Sequence, residues 1–253
     1  MRLYNEDALA LISEWGTKTS EVFLTSFSEY EPSFAKMLVR KKGELPVNSV
    51  HVLNTQFEPQ LFSAHPRVKK DAFDWLEKVM ESARILGAKH YTFHGLARIK
   101  STFQENLPKA GSALEEIAEF CNAYGVKLCL ENVEWALYNR PGIFTQLKQY
   151  CPQLGSVLDI KQARLTKHSV GEYMEEMGKS LAYVHVSDAD ESGKMCLPGK
   201  GTFDFDEFFR KLSGIGFDGA VILESYDKDY GELKELKDSY EFLAEKAEKY
   251  RLQ

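Results

Sequence analysis

The sequence lacks the features that define several common classes of protein. It has only four cysteines, and they form no Cys-x-x-Cys pair, which argues against a disulfide framework and favours a reducing compartment. No apolar run approaches the roughly 20 residues of a membrane span. Acidic residues interrupt the apolar stretch near the N-terminus, which disfavours a secretory signal. We therefore expect a cytoplasmic protein in which Cys121 and Cys129 are buried free thiols.

Acidic residues outnumber basic ones, with 38 Asp and Glu against 32 Lys and Arg. The formal net charge is −6 and the sequence pI is about 5.6, which disfavours a nucleic-acid partner because duplex binding requires a basic surface. A small neutral or phosphorylated ligand remains compatible, since it needs only a local cation. The chain is 43% hydrophobic and contains no low-complexity linker, so residues 1–253 are expected to form a single domain around one core.

Short apolar runs alternate with longer amphipathic stretches along the chain. The amphipathic stretches predict helices. Ser112 is the expected N-cap of the helix at 112–125, and Gly87 is the expected C-cap of the helix at 66–87. The predicted helices are 5–16, 66–87, 112–125, 204–216 and 232–250. The apolar runs predict strands. The predicted strands are 21–26, 48–53, 90–95, 127–132, 155–160, 182–188 and 220–225.

This alternation predicts an α/β protein with a parallel sheet, as in a TIM-type (β/α)8 barrel. The doubly wound alternative is disfavoured because no glycine-rich phosphate loop follows a strand. A closed barrel has eight strands, yet only residues 1–4 precede the first predicted helix. Either these residues form a stub of the first strand, or the barrel is open. An open barrel exposes strand edges, which favours a homodimer or a covering segment.

Four of the predicted strands carry a potential metal ligand at or near their carboxyl ends. These ligands are Glu131, Asp159, His185 and Glu224. In a parallel barrel these ends share one rim, where active sites are built. Three carboxylates and one imidazole suit one divalent ion, with Mn²⁺, Mg²⁺ or Co²⁺ favoured at least as well as Zn²⁺. Asp188 is a weaker candidate, because it lies in a polar loop and equally fits a turn residue.

Two histidines lie at a similar depth in other strands. His51 and His94 are candidates to bind a substrate hydroxyl or to supply ligands for a second metal, although a lone strand histidine is often a satisfied core residue. The remaining histidines are at strand starts or in loops, so we expect them at the surface: His65, His90 and His168.

Cations and aromatic residues near the same rim suggest contacts to a substrate. Lys161, Arg164 and Lys200 could gather an anionic group, and Lys200 lies in a glycine-flanked loop that can approach a ligand closely. The alternative is that all three are ordinary solvated cations. Three aromatic residues are candidates either to stack on a sugar or simply to pack in the fold: Phe57, Trp135 and Tyr226.

The ordered series LEN, LDI, VHVSD, PGKGTFDF and ILES resembles the xylose isomerase-like barrel superfamily over nearly the whole chain. The resemblance implies that Glu131, Asp159, His185 and Glu224 form a mononuclear metal site. It also implies that Glu131 and Glu224 are the acid/base pair of an isomerase or epimerase. Such an enzyme acts on a sugar or sugar phosphate by proton transfer next to a carbonyl.

One departure from the family pattern bears on the reaction. Many members have a histidine three residues after the aspartate, where this chain has Gln162, which can bind a sugar hydroxyl but is a poor metal ligand. The histidine and the later Asp-x-His that an endonuclease IV-like phosphodiesterase needs are both missing. The alternatives are that phosphodiesterase, a related sugar or inosose dehydratase, and a sugar-binding barrel without turnover.

Overall fold

The computed structural model describes residues 3–53, 55–97 and 106–252. Within these ranges, seven parallel strands pair in the order β1-β2-β3-β4-β5-β6-β9. The strands are β1 (Ser20–Leu24), β2 (Val47–Val52), β3 (His90–Phe93), β4 (Lys127–Glu131), β5 (Gly155–Asp159), β6 (Leu181–Val186) and β9 (Ala220–Leu223). A short antiparallel hairpin of β7 (Asp188–Ala189) and β8 (Met195–Cys196) follows β6.

Helices connect the strands and cover the outside of the sheet. They are α1 (Asn5–Glu14), α2 (Pro32–Lys42), α3 (Pro66–Leu86), α4 (Leu107–Asn122), α5 (Ile143–Leu147), α6 (Ile160–Leu165), α7 (Val170–Met177), α8 (Phe205–Gly214) and α9 (Leu233–Lys249). Across the described part of the chain, no helix is both long and apolar enough to span a bilayer.

The sheet curves into a nearly closed barrel, which confirms the predicted fold class. Among the described residues it is one strand short of a closed (β/α)8 barrel, and β1 and β9 are its two edges. Of the residues proposed as a stub strand, Leu3 and Tyr4 are irregular. Met1 and Arg2 lie outside the described residues.

The two faces of the sheet have different characters. Outward side chains such as Leu24, Val50 and Leu158 are fully buried beneath the helices and belong to the main core. Inside the barrel, a small separate apolar layer is formed by Cys129, Val157 and Tyr183. At the carboxyl ends of the strands the interior holds charged side chains, including Glu131, Asp159 and His185.

The start of α4 differs from its predicted position. The helix begins at Leu107, because Asn106 is the N-cap and its side chain accepts a hydrogen bond from the backbone of Lys109. Ser112 lies inside the helix and donates to the Pro108 carbonyl instead, so its predicted role as N-cap is wrong. The predicted C-cap at Gly87 is confirmed, since Gly87 adopts the left-handed conformation after α3.

The first residue of β5 tests the packing inside the barrel. A Cβ atom on Gly155 would lie 2.7 Å from Cys129 Sγ and 3.0 Å from Lys127 Cε. Gly155→Ala should therefore lower the free energy of unfolding by about 1–3 kcal/mol through overpacking, measured by urea denaturation. The control is Gly214→Ala at the end of α8, where a Cβ meets nothing within 4 Å. It should change stability by less than about 1 kcal/mol, and equal losses at both sites would contradict the prediction.

Candidate metal centre

The structure brings together the four strand-end side chains predicted as metal ligands. Glu131 and Asp159 end β4 and β5, His185 lies one residue before the end of β6, and Glu224 directly follows β9. One donor atom from each residue lies within 4.8 Å of the others. Asn132, which follows β4, is joined to the end of β5, because its amide exchanges hydrogen bonds of 2.8 and 2.9 Å with the backbone of Asp159.

His185 is at the centre of this cluster and is fully buried. Its Nδ1 lies 2.8 Å from Glu224 Oε2 and 3.0 Å from Glu131 Oε1. Burial alone would lower the pKa of His185, but the surrounding glutamates raise it well above its usual range. Burial would likewise raise the pKa of Glu131, yet hydrogen bonds from His185 and His94 lower it below its usual range. These groups attract one another strongly in the absence of an ion.

Negative charge nevertheless exceeds positive charge in the cluster. Burial raises the pKa of Asp159 to about 7, and the charge of Glu224 adds to this effect. Lys161 offsets it only in part, although its Nζ lies 3.1 Å from Glu224 Oε1 and 3.6 Å from Asp159 Oδ2. Three carboxylates therefore meet one imidazole and the ammonium group of Lys161. A divalent cation would supply further positive charge.

The residues fit such an ion. Ligand atoms about 2.0–2.2 Å from one ion lie at most about 4.4 Å apart, and the donor atoms of these four residues all lie within 4.8 Å of one another. The side chain of Glu224 is 36% exposed. Its Oε2 atom is nevertheless buried and makes no well-aligned hydrogen bond. Glu224 therefore faces both the cluster and the open mouth of the barrel.

His51 and His94 lie beside the cluster on the β2 and β3 side. Their Nε2 atoms are 3.0 Å apart, and His94 Nε2 is also 2.9 Å from Glu131 Oε2. Both histidines and Glu131 offer donor atoms within 4.8 Å of one another. The geometry suits either of their predicted roles, binding a substrate hydroxyl or holding a second ion.

Of the other residues predicted to contact a substrate, Trp135, Tyr226 and Gln162 lie near the site, whereas Phe57 lies in the core. The Trp135 ring lies 5.2 Å from that of His94, and Lys161 Nζ lies 4.9 Å from the centre of the half-exposed Tyr226 ring. Gln162 accepts a hydrogen bond from the Glu134 backbone. Phe57 is buried against Tyr30 and so packs in the core.

Two of the predicted cations lie at the surface, and one histidine predicted at the surface lies inside the barrel. Lys200 and Arg164 are exposed, and the charge of Lys200 acts on Glu235 near the start of α9. His90, which we predicted at the surface, is partly buried inside the barrel with its ring 5.3 Å from that of Tyr183. The prediction is wrong because the first residue of β3 points inward.

Two glutamates near the cluster, Glu21 and Glu58, were not predicted as site residues. Glu21 in β1 lies 3.1 Å from His185 Nε2. Glu58 is fully buried after β2, accepts a 2.6 Å hydrogen bond from Tyr91, and keeps its other carboxylate oxygen without a partner among the described residues. An acidic residue in an otherwise apolar run was the available signal for Glu21. No such signal marks Glu58, because it lies in a polar stretch of sequence next to Pro59.

Asp188 has a structural role at the base of the loop after β6. Its carboxylate accepts hydrogen bonds from the backbone of Ala189, Gly199, Gly201 and Phe203, at 2.7–3.1 Å. It is buried, and it belongs to neither group of potential metal ligands found among the described residues. Of its two predicted roles, the structure therefore favours the organisation of a turn.

The family model described as the xylose isomerase-like TIM barrel matches residues 9–246. The chain belongs to this family. The resemblance that its strand-end motifs predicted is thereby confirmed.

The relatives of the chain include sugar epimerases and isomerases. A ketose 3-epimerase of Arthrobacter globiformis is 25% identical over 173 residues, covering 65% of this chain and 58% of that protein. An inosose isomerase of Bacillus subtilis (strain 168) is 23% identical over 172 residues, covering 61% of this chain and 60% of that protein. The matched region thus spans about three fifths of the length of these relatives.

Solved structures share the fold over almost the whole chain. A structure of L-ribulose 3-epimerase has a TM-score of 0.79 and 19% identity, covering 98% of this chain and 90% of that one. D-psicose 3-epimerase with D-tagatose, from Clostridium cellulolyticum H10, has a TM-score of 0.80 and 16% identity, covering 100% of this chain and 95% of that one. At these identities the likeness is one of fold.

Replacing Asp188 separates its two predicted roles. Asp188→Asn should lower the melting temperature by several degrees, because an amide cannot accept all the backbone N–H groups that now point at the carboxylate. Mn²⁺ affinity, measured by isothermal titration calorimetry, should stay within about twofold of the wild type. A large loss of affinity in a protein of unchanged stability would instead make Asp188 a ligand.

Glu58 should make stability depend on pH. Burial raises its pKa from the ordinary 4.5 to about 7, so the folded state binds a proton that the unfolded chain releases. Relative to Glu58→Gln, the wild type should therefore lose stability as pH rises from about 4.5 to 7, by at most about 3 kcal/mol, and change little above that. Urea denaturation at pH 5 and pH 8 measures the difference. Parallel pH profiles of the two proteins would contradict it.

Proposed function

We propose that the chain is a divalent-metal-dependent isomerase or epimerase of a sugar or sugar phosphate, acting by proton transfer next to a carbonyl. The observation that carries this proposal is the meeting of Glu131, Asp159, His185 and Glu224 within 4.8 Å at the carboxyl ends of the strands. The sugar epimerases and isomerases among the relatives support the same class of reaction. The cytoplasmic location stays a prediction, as do a homodimer and the absence of a nucleic-acid partner.

The proposed metal is a single divalent ion held by these four side chains. Their oxygen-rich donor set suits Mn²⁺, Mg²⁺, Co²⁺ or Zn²⁺. When bound, the ion would polarise the carbonyl and hydroxyl oxygens of the substrate and so acidify the C–H bond between them.

Glu131 and Glu224 are the proposed proton-transfer residues. They come from β4 and from the end of β9, so β5 and β6 separate their attachment points on the barrel. A sugar between them would meet one carboxylate on each side. One glutamate would take the proton from carbon, leaving an enediolate, and the other would return a proton to the opposite face. For an aldose–ketose isomerisation, the proton would return to the neighbouring carbon.

The mouth of the barrel offers surfaces for a sugar. Trp135 and Tyr226 are 37% and 50% exposed. Trp135 lies beside His94 and Tyr226 beside Lys161, so either ring could stack on a sugar face. His51 and His94 would bind hydroxyl groups. Gln162, Lys161 and Lys200 stay candidates for substrate contacts. The side-chain oxygen of Gln162 already accepts from a backbone N–H, which leaves its amide NH₂ as the group that could donate to a sugar.

The proton-transfer experiment measures incorporation of deuterium from D₂O into a panel of ketoses and their phosphates with added Mn²⁺. We expect deuterium at one carbon beside the carbonyl, which would identify both the class of reaction and the carbon at which it occurs. Glu131→Gln and Glu224→Gln should each reduce the exchange rate by about 10²–10⁴-fold, because each removes a proton acceptor. The solvent-exposed Glu119→Gln on α4 is the matched control and should exchange at the wild-type rate.

Metal analysis distinguishes this proposal from its alternatives. One Mn²⁺ per chain, lost in the Glu131→Gln/Glu224→Gln double variant, supports it. Three ions per chain would favour the phosphodiesterase. A folded protein that binds no divalent ion would favour a sugar-binding barrel, and loss of water from the substrate after exchange would indicate the dehydratase.

A further inference from the structure

Glu21 is a buried carboxylate that touches the candidate metal site without contributing a ligand. It projects from β1 into the barrel, and its Oε1 atom lies 3.1 Å from His185 Nε2, off the ideal direction of a hydrogen bond. The opposite ring nitrogen, Nδ1, faces Glu131 and Glu224 at 3.0 and 2.8 Å. The imidazole therefore lies between Glu21 on one side and two proposed metal ligands on the other.

We propose that Glu21 is a positioning residue that keeps a proton on His185 Nε2, so that the lone pair of Nδ1 is directed at the metal. This inference rests on the proposed function, because it assumes the four-residue metal site. An ionised carboxylate can only accept hydrogen bonds, so the nitrogen that faces it is stabilised in its N–H form. A neutral imidazole has one N–H, and the lone pair is then left on Nδ1. Partners of this kind fix the ring orientation of metal-bound histidines and increase their basicity.

The surroundings of Glu21 hold its carboxylate in one orientation. Ser49 Oγ donates to Oε2 at 2.6 Å, and Thr92 Oγ1 lies within hydrogen-bond distance of the same oxygen. Thr92 in turn contacts the hydroxyl of Tyr183 at 2.6 Å. Because these hydroxyls occupy Oε2, Oε1 is the oxygen left for the imidazole.

The same oxygen also faces a second histidine. Glu21 Oε1 lies 3.6 Å from His51 Nδ1, while His51 Nε2 is directed at His94. This distance is too long for a hydrogen bond but short enough for the negative charge to favour a proton on Nδ1. Glu21 thus favours the form of each ring in which the lone pair points away from Glu21, toward the proposed metal ligands for His185 and toward His94 for His51.

The test compares Glu21→Gln with the wild type by Mn²⁺ titration calorimetry. Glutamine keeps the shape of the side chain but removes the charge, so we expect the Kd for Mn²⁺ to rise about 10–100-fold. Glu29→Gln is the matched control, because Glu29 is also a partly buried glutamate close to β1, where it accepts hydrogen bonds from Thr25. It should bind Mn²⁺ like the wild type.

A spectroscopic measurement separates positioning from a general effect on the fold. In the Zn²⁺-loaded, ¹⁵N-labelled wild type, His185 should carry its proton on Nε2 and bind zinc through Nδ1. Glu21→Asp, which keeps the charge on a shorter side chain, should have a Kd between those of the wild type and Glu21→Gln. Melting curves confirm that each variant is folded. If Glu21→Gln does not fold, the wild-type spectrum and the Mn²⁺ Kd of Glu21→Asp still test the inference.

Three results would overturn the inference: zinc bound through His185 Nε2 in the wild type, an unchanged Mn²⁺ Kd in folded Glu21→Gln, or equal losses in the Asp and Gln variants. Failure of the proposed reaction is distinguishable from these results. A protein that binds Mn²⁺ with the expected dependence on Glu21 but exchanges no ketose proton would overturn the reaction and leave the role of Glu21 standing.

Discussion

The charged interior of the barrel is organised around one buried imidazole that contacts three glutamates. His185 lies within 3.1 Å of Glu21, Glu131 and Glu224, which come from β1, β4 and the end of β9. Burying several carboxylates in one barrel is costly unless a cation accompanies them. The attraction to His185 connects β6 to β1 and β4, which are not its neighbours in the sheet, and brings the two edge strands β1 and β9 to one imidazole.

The layering of the barrel explains how a charged interior is compatible with a stable fold. The main apolar core lies between the sheet and the helices, where side chains such as Leu24 and Leu158 are fully buried. The interior contributes only the small layer around Cys129, Val157 and Tyr183. Stability therefore depends mainly on the outer core, so the upper interior can hold crowded carboxylates for function.

The strand-end ligands could be predicted from the sequence because each one closes a short apolar run. Strand ends share one rim in a parallel barrel, so position along the chain was enough to bring Glu131, Asp159 and Glu224 together. Glu21 could not be placed this way: it occupies the second position of β1, and only its register opposite Ser49 shows that it points inward. The role of Asp188 likewise depended on backbone groups 11 to 15 residues further along the chain, which residue spacing alone does not reveal.

Lys161 shows why a cation near the rim need not indicate an anionic substrate. Its Nζ is already 3.1 Å from Glu224 Oε1 and 3.6 Å from Asp159 Oδ2, and the side chain is buried. A phosphate group approaching it would compete with these two carboxylates for the same ammonium group. The geometry therefore favours a lysine that holds two ligands together over one that recruits substrate charge. A phosphorylated sugar would depend more on exposed cations such as Arg164.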